Sequence, residues 1–114
     1  MAVGDDTITN FIVPAFLFAG QTWTQLGVVS NGYLVVGGGT AADVLSTPQS
    51  FPNLAHPNNV LAPFWSDLDP TAGGAVRIGT LTDGQDSWIV VDWEDVREYG
   101  NTNTHSFEAW LGFA

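Results

Sequence analysis

Lysine is missing from this sequence, and so is cysteine. The fixed cations are Arg77 and Arg97 alone, against twelve acidic residues, for a formal net charge of −10 over 114 residues. That balance excludes nucleic acid as a partner, because phosphate binding needs cations that displace condensed counterions. Attraction to an anionic membrane surface fails for the same reason. A lysine–asparagine isopeptide cross-link is impossible. Without cysteine there is no disulfide framework, zinc–thiolate site or thiol nucleophile. Its absence assigns no compartment, since many secreted bacterial proteins avoid it. No apolar run approaches the length of a membrane span, so membrane insertion is not expected. No segment repeats apolar residues at helical spacing. The opening residues, Met1 to Asp6, lack the basic and apolar regions of an export signal. Met1 is read as an added start, with any signal upstream.

What is present is a strand-and-turn vocabulary. Hydrophobic residues make up 45%, including seven Phe, five Trp and two Tyr, and the length suits one domain with one core. Short apolar runs are broken by Gly, Asn, Asp or Pro about every ten residues, the rhythm of a sandwich or barrel. Thr7–Val13 reads as a strand ended by Pro14. Ala15–Ala19 and Thr22–Leu26 read as a hairpin around Gly20-Gln21. Gly27–Ser30 and Tyr33–Val36 flank Asn31-Gly32, a dipeptide suited to the two positive-φ positions of a type I′ turn. A long irregular segment follows to Asn59, with Pro48, Pro52 and Pro57, a short helical turn near Ala41–Leu45, and Phe51 and Leu54 expected to pin it to the core. Val60–Leu68 reads as the most apolar strand, with Pro63 marking an edge or bulge. Ala75–Leu81 and Ser87–Glu94 read as a hairpin over Thr82–Asp86. After a polar turn at Tyr99–Thr104, His105–Phe113 is the last strand. It ends apolar and uncapped, so further strands are expected beyond Ala114, and the 105–113 edge is a candidate for homo-oligomer pairing.

Several residues invite chemistry. Asp67 and Asp69 sit on one side of a strand and offer hard oxygen donors for Ca²⁺, with Gly73-Gly74 following and Asp92, Glu94 or Asp95 within reach of a neighbouring strand. The plainer alternative is an Asp-Pro turn in which Asp69 bonds nearby amides. No other cofactor is expected. Asp92, Glu94 and Glu108 can form a carboxylate pair of the glycosidase kind, although acidic residues on a solvated strand face are far commoner. His56 and His105 have no metal-spaced partner. Ser30, Ser66, Ser87 and Ser106 lack the context of an activated nucleophile. Gly37-Gly38-Gly39 lacks the lysine of a phosphate loop. Trp65, Trp88 and Trp93 read as core or near-core. Trp23 and Tyr99 are candidates for a stacking platform for sugar or peptide, against the alternative of core packing.

Two stretches carry a family likeness. Asn59-Val60-Leu61-Ala62-Pro63-Phe64-Trp65-Ser66-Asp67-Leu68-Asp69 resembles the Ala-Pro-Phe-Trp-x-Asp-hydrophobic-Asp segment of nidogen-like extracellular domains. Trp88–Val96 followed by Asn103–Leu111 is similar to that family's later Trp-rich strand and its successor. The run Val29–Thr40 resembles more closely the version found in the C-terminal parts of secreted bacterial subtilisin-like serine proteases. The likeness covers the chain from about Asp5 onward. It implies a secreted, non-catalytic accessory module, because none of the sequence contexts of the protease's catalytic residues occurs here. It also implies further closing strands that this chain lacks.

The expectation is therefore an all-β, antiparallel sandwich or curled sheet over residues 1–114, lacking its last native strands. Its expected role is contact with a protein or surface polymer outside the cell. The rival is an assembly module that accepts a strand at an open edge, and an enzyme comes third.

Overall fold

Side chains on a strand alternate between its two faces, so a segment with every second residue apolar buries one face. The chain is built almost wholly from such segments. A computed structural model describes residues 6–45 and 60–113. Along them run β1 (Ile8–Phe18), β2 (Gln21–Val29), β3 (Tyr33–Val36), β4 (Val60–Leu61), β5 (Leu68–Asp69), β6 (Ala75–Thr82), β7 (Ser87–Glu98) and β8 (Thr104–Phe113), with a single 3-10 turn at Ala41–Asp43. The expected pinning by Phe51 and Leu54, the three prolines around them, and His56 lie outside the described residues.

β1 to β4 form one antiparallel sheet in chain order. In the second sheet β7 is central. Trp93 pairs with Phe107 of β8 on one side and Val76 of β6 on the other. Arg97 pairs with Thr104 of β8 and Asp69 of β5, so β5 and β6 lie end to end along the same side of β7. The inner faces meet in one core, in which Leu26, Val28 and Leu34 of the first sheet pack with Ile89, Val91 and Trp93 of the second. Each such aliphatic side chain contributes about 1.5–3 kcal/mol by leaving water. The expected antiparallel sandwich is what forms.

Three local expectations are corrected. Pro14 does not end a strand. Ile12 pairs with Gln25 and Phe16 with Trp23, so β1 carries extra residues in a bulge that holds Pro14. A bulge tolerates a residue without an N–H donor, and it switches the parity of the strand so that Val13 and Phe16 are both buried. The two-residue turn with both central residues at positive φ is Ala19-Gly20, at 51° and 77°. Around Asn31 the loop has three residues: Val29 pairs with Tyr33, Gly32 N–H donates to Val29 O, and of the three only Gly32 has positive φ. That is a tight turn closed by a glycine bulge. Lastly, Val60–Leu68 is not one strand. β4 joins the first sheet and β5 the second, and residues 62–67 cross between them.

The crossing is held by the turn it passes. Phe64 N–H donates to Gly32 O at 3.2 Å and Ser66 N–H to Asn31 O at 2.9 Å. A Cβ on Gly32 would stand 1.9 Å from Phe64 O, so the close approach as well as the backbone angle requires glycine. The buried Asn31 side chain donates to Asp6 Oδ1 and Leu45 O and accepts from Leu68 N–H, joining both sheets. Beside it, the rings of Tyr33 and Trp65 pack at a tilt with centroids 4.2 Å apart, the Tyr33 hydroxyl donates to Asp43 O, and Trp65 Nε1 donates to Leu45 O. This packing covers the part of the first sheet's outer face around β3, where Val29, Tyr33 and Val35 are buried under Ile8, Val44, Val60 and Trp65.

Candidate functional site on the outer face of the second sheet

No such cover lies over the second sheet among the described residues. With Ile89, Val91 and Trp93 turned into the core, Trp88, Val90, Asp92 and Glu94 of β7 point outward. The strand registers extend these residues into rows across the sheet. Leu81, Trp88 and Gly112 form one row, Gly79, Val90 and Trp110 the next, and Arg77, Asp92 and Glu108 the third. Trp110 is 52% exposed and Leu81 51%. The rings of Trp88 and Trp110 meet edge to face, centroids 5.7 Å apart, the geometry that aromatic quadrupoles favour.

Glycine shapes this face. A Cβ on Gly79 or Gly112 would have no neighbour within 4 Å, so both positions are open on the surface. Gly79 and Val90 floor a hollow of about 240 Å³, rimmed by Arg77, Leu81, Asp92 and Glu108. A larger cleft of about 850 Å³ opens at the end of the sandwich between Leu17, Thr22, Asp86 and Phe113.

Charge in the third row is unbalanced. Arg77 forms an ion pair and a hydrogen bond with Glu94, and its Nη1 lies 3.9 Å from Asp92 Oδ2. Asp92 and Glu108 face each other directly across β7 and β8, a like-charge arrangement that opposes pairing. Loss of solvent, then the neighbouring Glu108 and Glu94, raise the Asp92 carboxyl above its ordinary pKa, and Arg77 offsets part of this.

The sequence-derived candidates fall elsewhere. Asp69 Oδ1 accepts from Thr71 N–H and from the Thr71 hydroxyl, the turn alternative raised for it. Asp67 Oδ1 is buried with no hydrogen-bond partner among the described residues, and burial, then Asp6 and Asp69, raise that carboxyl's pKa. Gly74 is needed for close approach, since a Cβ there would stand 2.3 Å from Asp95 O at the bulge of β7. The described residues contain no group of three or more acidic or histidine side chains placed to hold a metal ion. Trp23 lies in β2, its ring against Gly37 and its Nε1 donating to Phe18 O. Tyr99, 59% exposed, follows β7, and its N–H donates to Asp67 O. The two rings are on different sheets and are not brought together. Trp65 is half-buried against Tyr33 and Trp93 is fully buried, as expected, whereas Trp88 belongs to the outward face and not to the core.

Sequence reasoning missed the Trp88–Trp110 pair. The alternation in Ser87–Glu94 put Trp88 on the face of Asp92 and Glu94. Placing Trp110 beside it needs the register of β8, which a bulge between Trp93 and Val96 shifts. No curated protein and no solved structure matches the chain. The model of one family, described as NIDO related, matches residues 2–112. The chain belongs to the NIDO-related family, and the bare tryptophan-lined face is carried on a domain of that kind.

Proposed function

We propose that this chain is a non-catalytic contact module of a secreted protein, and that the outer face of the second sheet is where it makes contact. One observation carries the reading. Trp110 and Leu81, each about half exposed, and the ring of Trp88 lie together on a face that the core does not use, whereas the first sheet's outer face is covered at Val29, Tyr33 and Val35 and exposes Ile12 and Leu17 singly on β1. Contiguous exposed apolar surface on a soluble domain marks an interaction site. Family membership supports an extracellular setting. The resemblance of Val29–Thr40 to accessory modules of subtilisin-like proteases suggests a parent enzyme for which this domain holds substrate or surface. The openness of the face and the engagement of Arg77 by Glu94 favour contact over catalysis.

The test is retention of the immobilised chain's binding to casein, collagen and cell-wall polysaccharide, compared with a Leu81→Ser/Trp110→Ser double variant. The reading expects retention that the double variant loses. Equal retention by both, or turnover of any of these polymers, overturns it.

A second reading rests on β8. Among the described residues it pairs only with β7, over ten residues without proline or lysine. Such an edge accepts another strand. Sedimentation over a wide concentration range decides it: dimer growing with concentration supports the reading, and a monomer throughout removes it.

A further inference from the structure

We propose that the hollow between Gly79, Asp92 and Glu108 is a receptor for a cationic side chain, lysine or arginine, presented by a partner polypeptide. The inference rests on the outer face being the contact surface and names what that surface recognises.

Size limits the occupant. At about 240 Å³ the hollow is smaller than the about 300–1,000 Å³ of pockets that take whole small molecules. A single long side chain suits it. Its floor is the bare backbone of Gly79 and the side chain of Val90, an apolar lining for a methylene stem.

Charge selects the occupant. Asp92, Glu94 and Glu108 surround Arg77, which Glu94 engages directly, and the other arginine, Arg97, lies farther along β7 beyond its bulge. Glu108 has no ion pair or hydrogen bond among the described residues. Asp92 lies opposite it and is 3.9 Å from the guanidinium it shares with Glu94. A cation seated between Asp92 and Glu108 turns a repulsive cross-strand pair into two attractive ones. Trp110, next outward residue to Glu108 along β8, does not line the hollow but stands half exposed on the same face, where a partner chain that seats its cation meets the ring. A neutral sugar would explain the rings but would leave the facing carboxylates unbalanced.

This chain is a poor source of the cation. It has no lysine, its Arg77 is engaged by Glu94, and two copies at −10 repel each other. The cation is therefore assigned to a polypeptide segment outside these 114 residues.

The experiment is calorimetric titration of the whole chain with three probes: a blocked glycine–arginine peptide, the same peptide with citrulline in place of arginine, and a neutral glucan hexamer. We expect saturable binding of the arginine peptide and none of the citrulline peptide, with weakening between about 20 mM and about 300 mM salt as surface charges are screened. Glu108→Gln should weaken binding about tenfold, and Trp110→Leu, beside the hollow, by less. Asp86→Asn, which removes the same charge in the loop between β6 and β7, should leave it unchanged. Glu108→Gln removes a repulsion, so its melting temperature should not fall, which separates lost recognition from lost folding. No saturable binding of the arginine peptide, equal binding of the citrulline peptide, equal weakening by Asp86→Asn, or full binding by Glu108→Gln overturns the proposal. Binding of the glucan hexamer alone overturns the cationic occupant and leaves the contact face standing. Failure of the peptide and the hexamer, with unchanged retention in the Leu81→Ser/Trp110→Ser variant, removes the face as well.

Discussion

Asn31 does more for this molecule than its turn requires. Its side chain reaches Asp6, Leu45 and Leu68, residues 14 to 37 positions away in sequence. Replacing it with alanine leaves the buried Leu68 N–H without this partner, while Leu45 O keeps Trp65 Nε1. A buried group left unsatisfied costs about 1–3 kcal/mol, so Asn31→Ala should lower stability by about that much in denaturant titration. Ala19 presents the opposite case. It stands at φ 51°, exposed, where a left-handed backbone costs an L-residue with a Cβ about 1–2 kcal/mol and asparagine less. Ala19→Asn should therefore raise the melting temperature. The sequence pointed to a turn at Asn31-Gly32 through backbone preference, and a turn is there. It did not disclose the amide's real task, because hydrogen-bond partners that distant leave no local pattern.

Strands that alternate cleanly between turn signals were legible. β6 falls within a residue of Ala75–Leu81 and β8 within a residue of His105–Phe113, while β7 starts at Ser87 as read but runs past Glu94, through its bulge, to Glu98. The agreements follow from side-chain periodicity, which is local. Breaks in the ladder were not legible. Whether Val60–Leu68 continues as a strand depends on who receives the N–H groups of Phe64 and Ser66, and that is the 30–32 turn. The candidate face was half legible: Trp88, Asp92 and Glu94 share a period, whereas Trp110 and Glu108 join them only through cross-strand register. At the other end of the β7–β8 hairpin, Glu98 accepts hydrogen bonds from Asn101 and Asn103 and contacts His105. His105, then the two amides, lower the Glu98 pKa from its ordinary 4.5. A depressed carboxyl stabilises the fold above its unfolded pKa, and that contribution is lost as pH falls through the folded value. Melting curves from about pH 7 down to about pH 2.5 should show wild type above Glu98→Gln at neutrality, with the gap closing below 4.5.

Over the whole molecule, charge is one-sided. Twelve acids and two arginines are spread over a body 41 × 34 × 20 Å, two sheets thick. Self-repulsion of that kind destabilises the compact state and is screened by salt. The melting temperature should climb between about 10 mM and about 500 mM NaCl, and a flat or falling curve would mean that surface charge is not a limiting term. The two faces of the sandwich also differ in kind. Val44 and Trp65 cover part of one, over Val29, Tyr33 and Val35, and no such cover lies over the other among the described residues.

Gly79 gives that bareness a practical edge. It sits mid-strand at an ordinary negative backbone angle with no atom near its absent Cβ, so it is a socket that folding does not need. A valine there would fill the vestibule and, because glycine is a poor strand former, would stiffen β6 by about 1 kcal/mol. Gly79→Val is thus expected to give a sturdier protein that has gone deaf to its partner, uncoupling robustness from recognition in a single step.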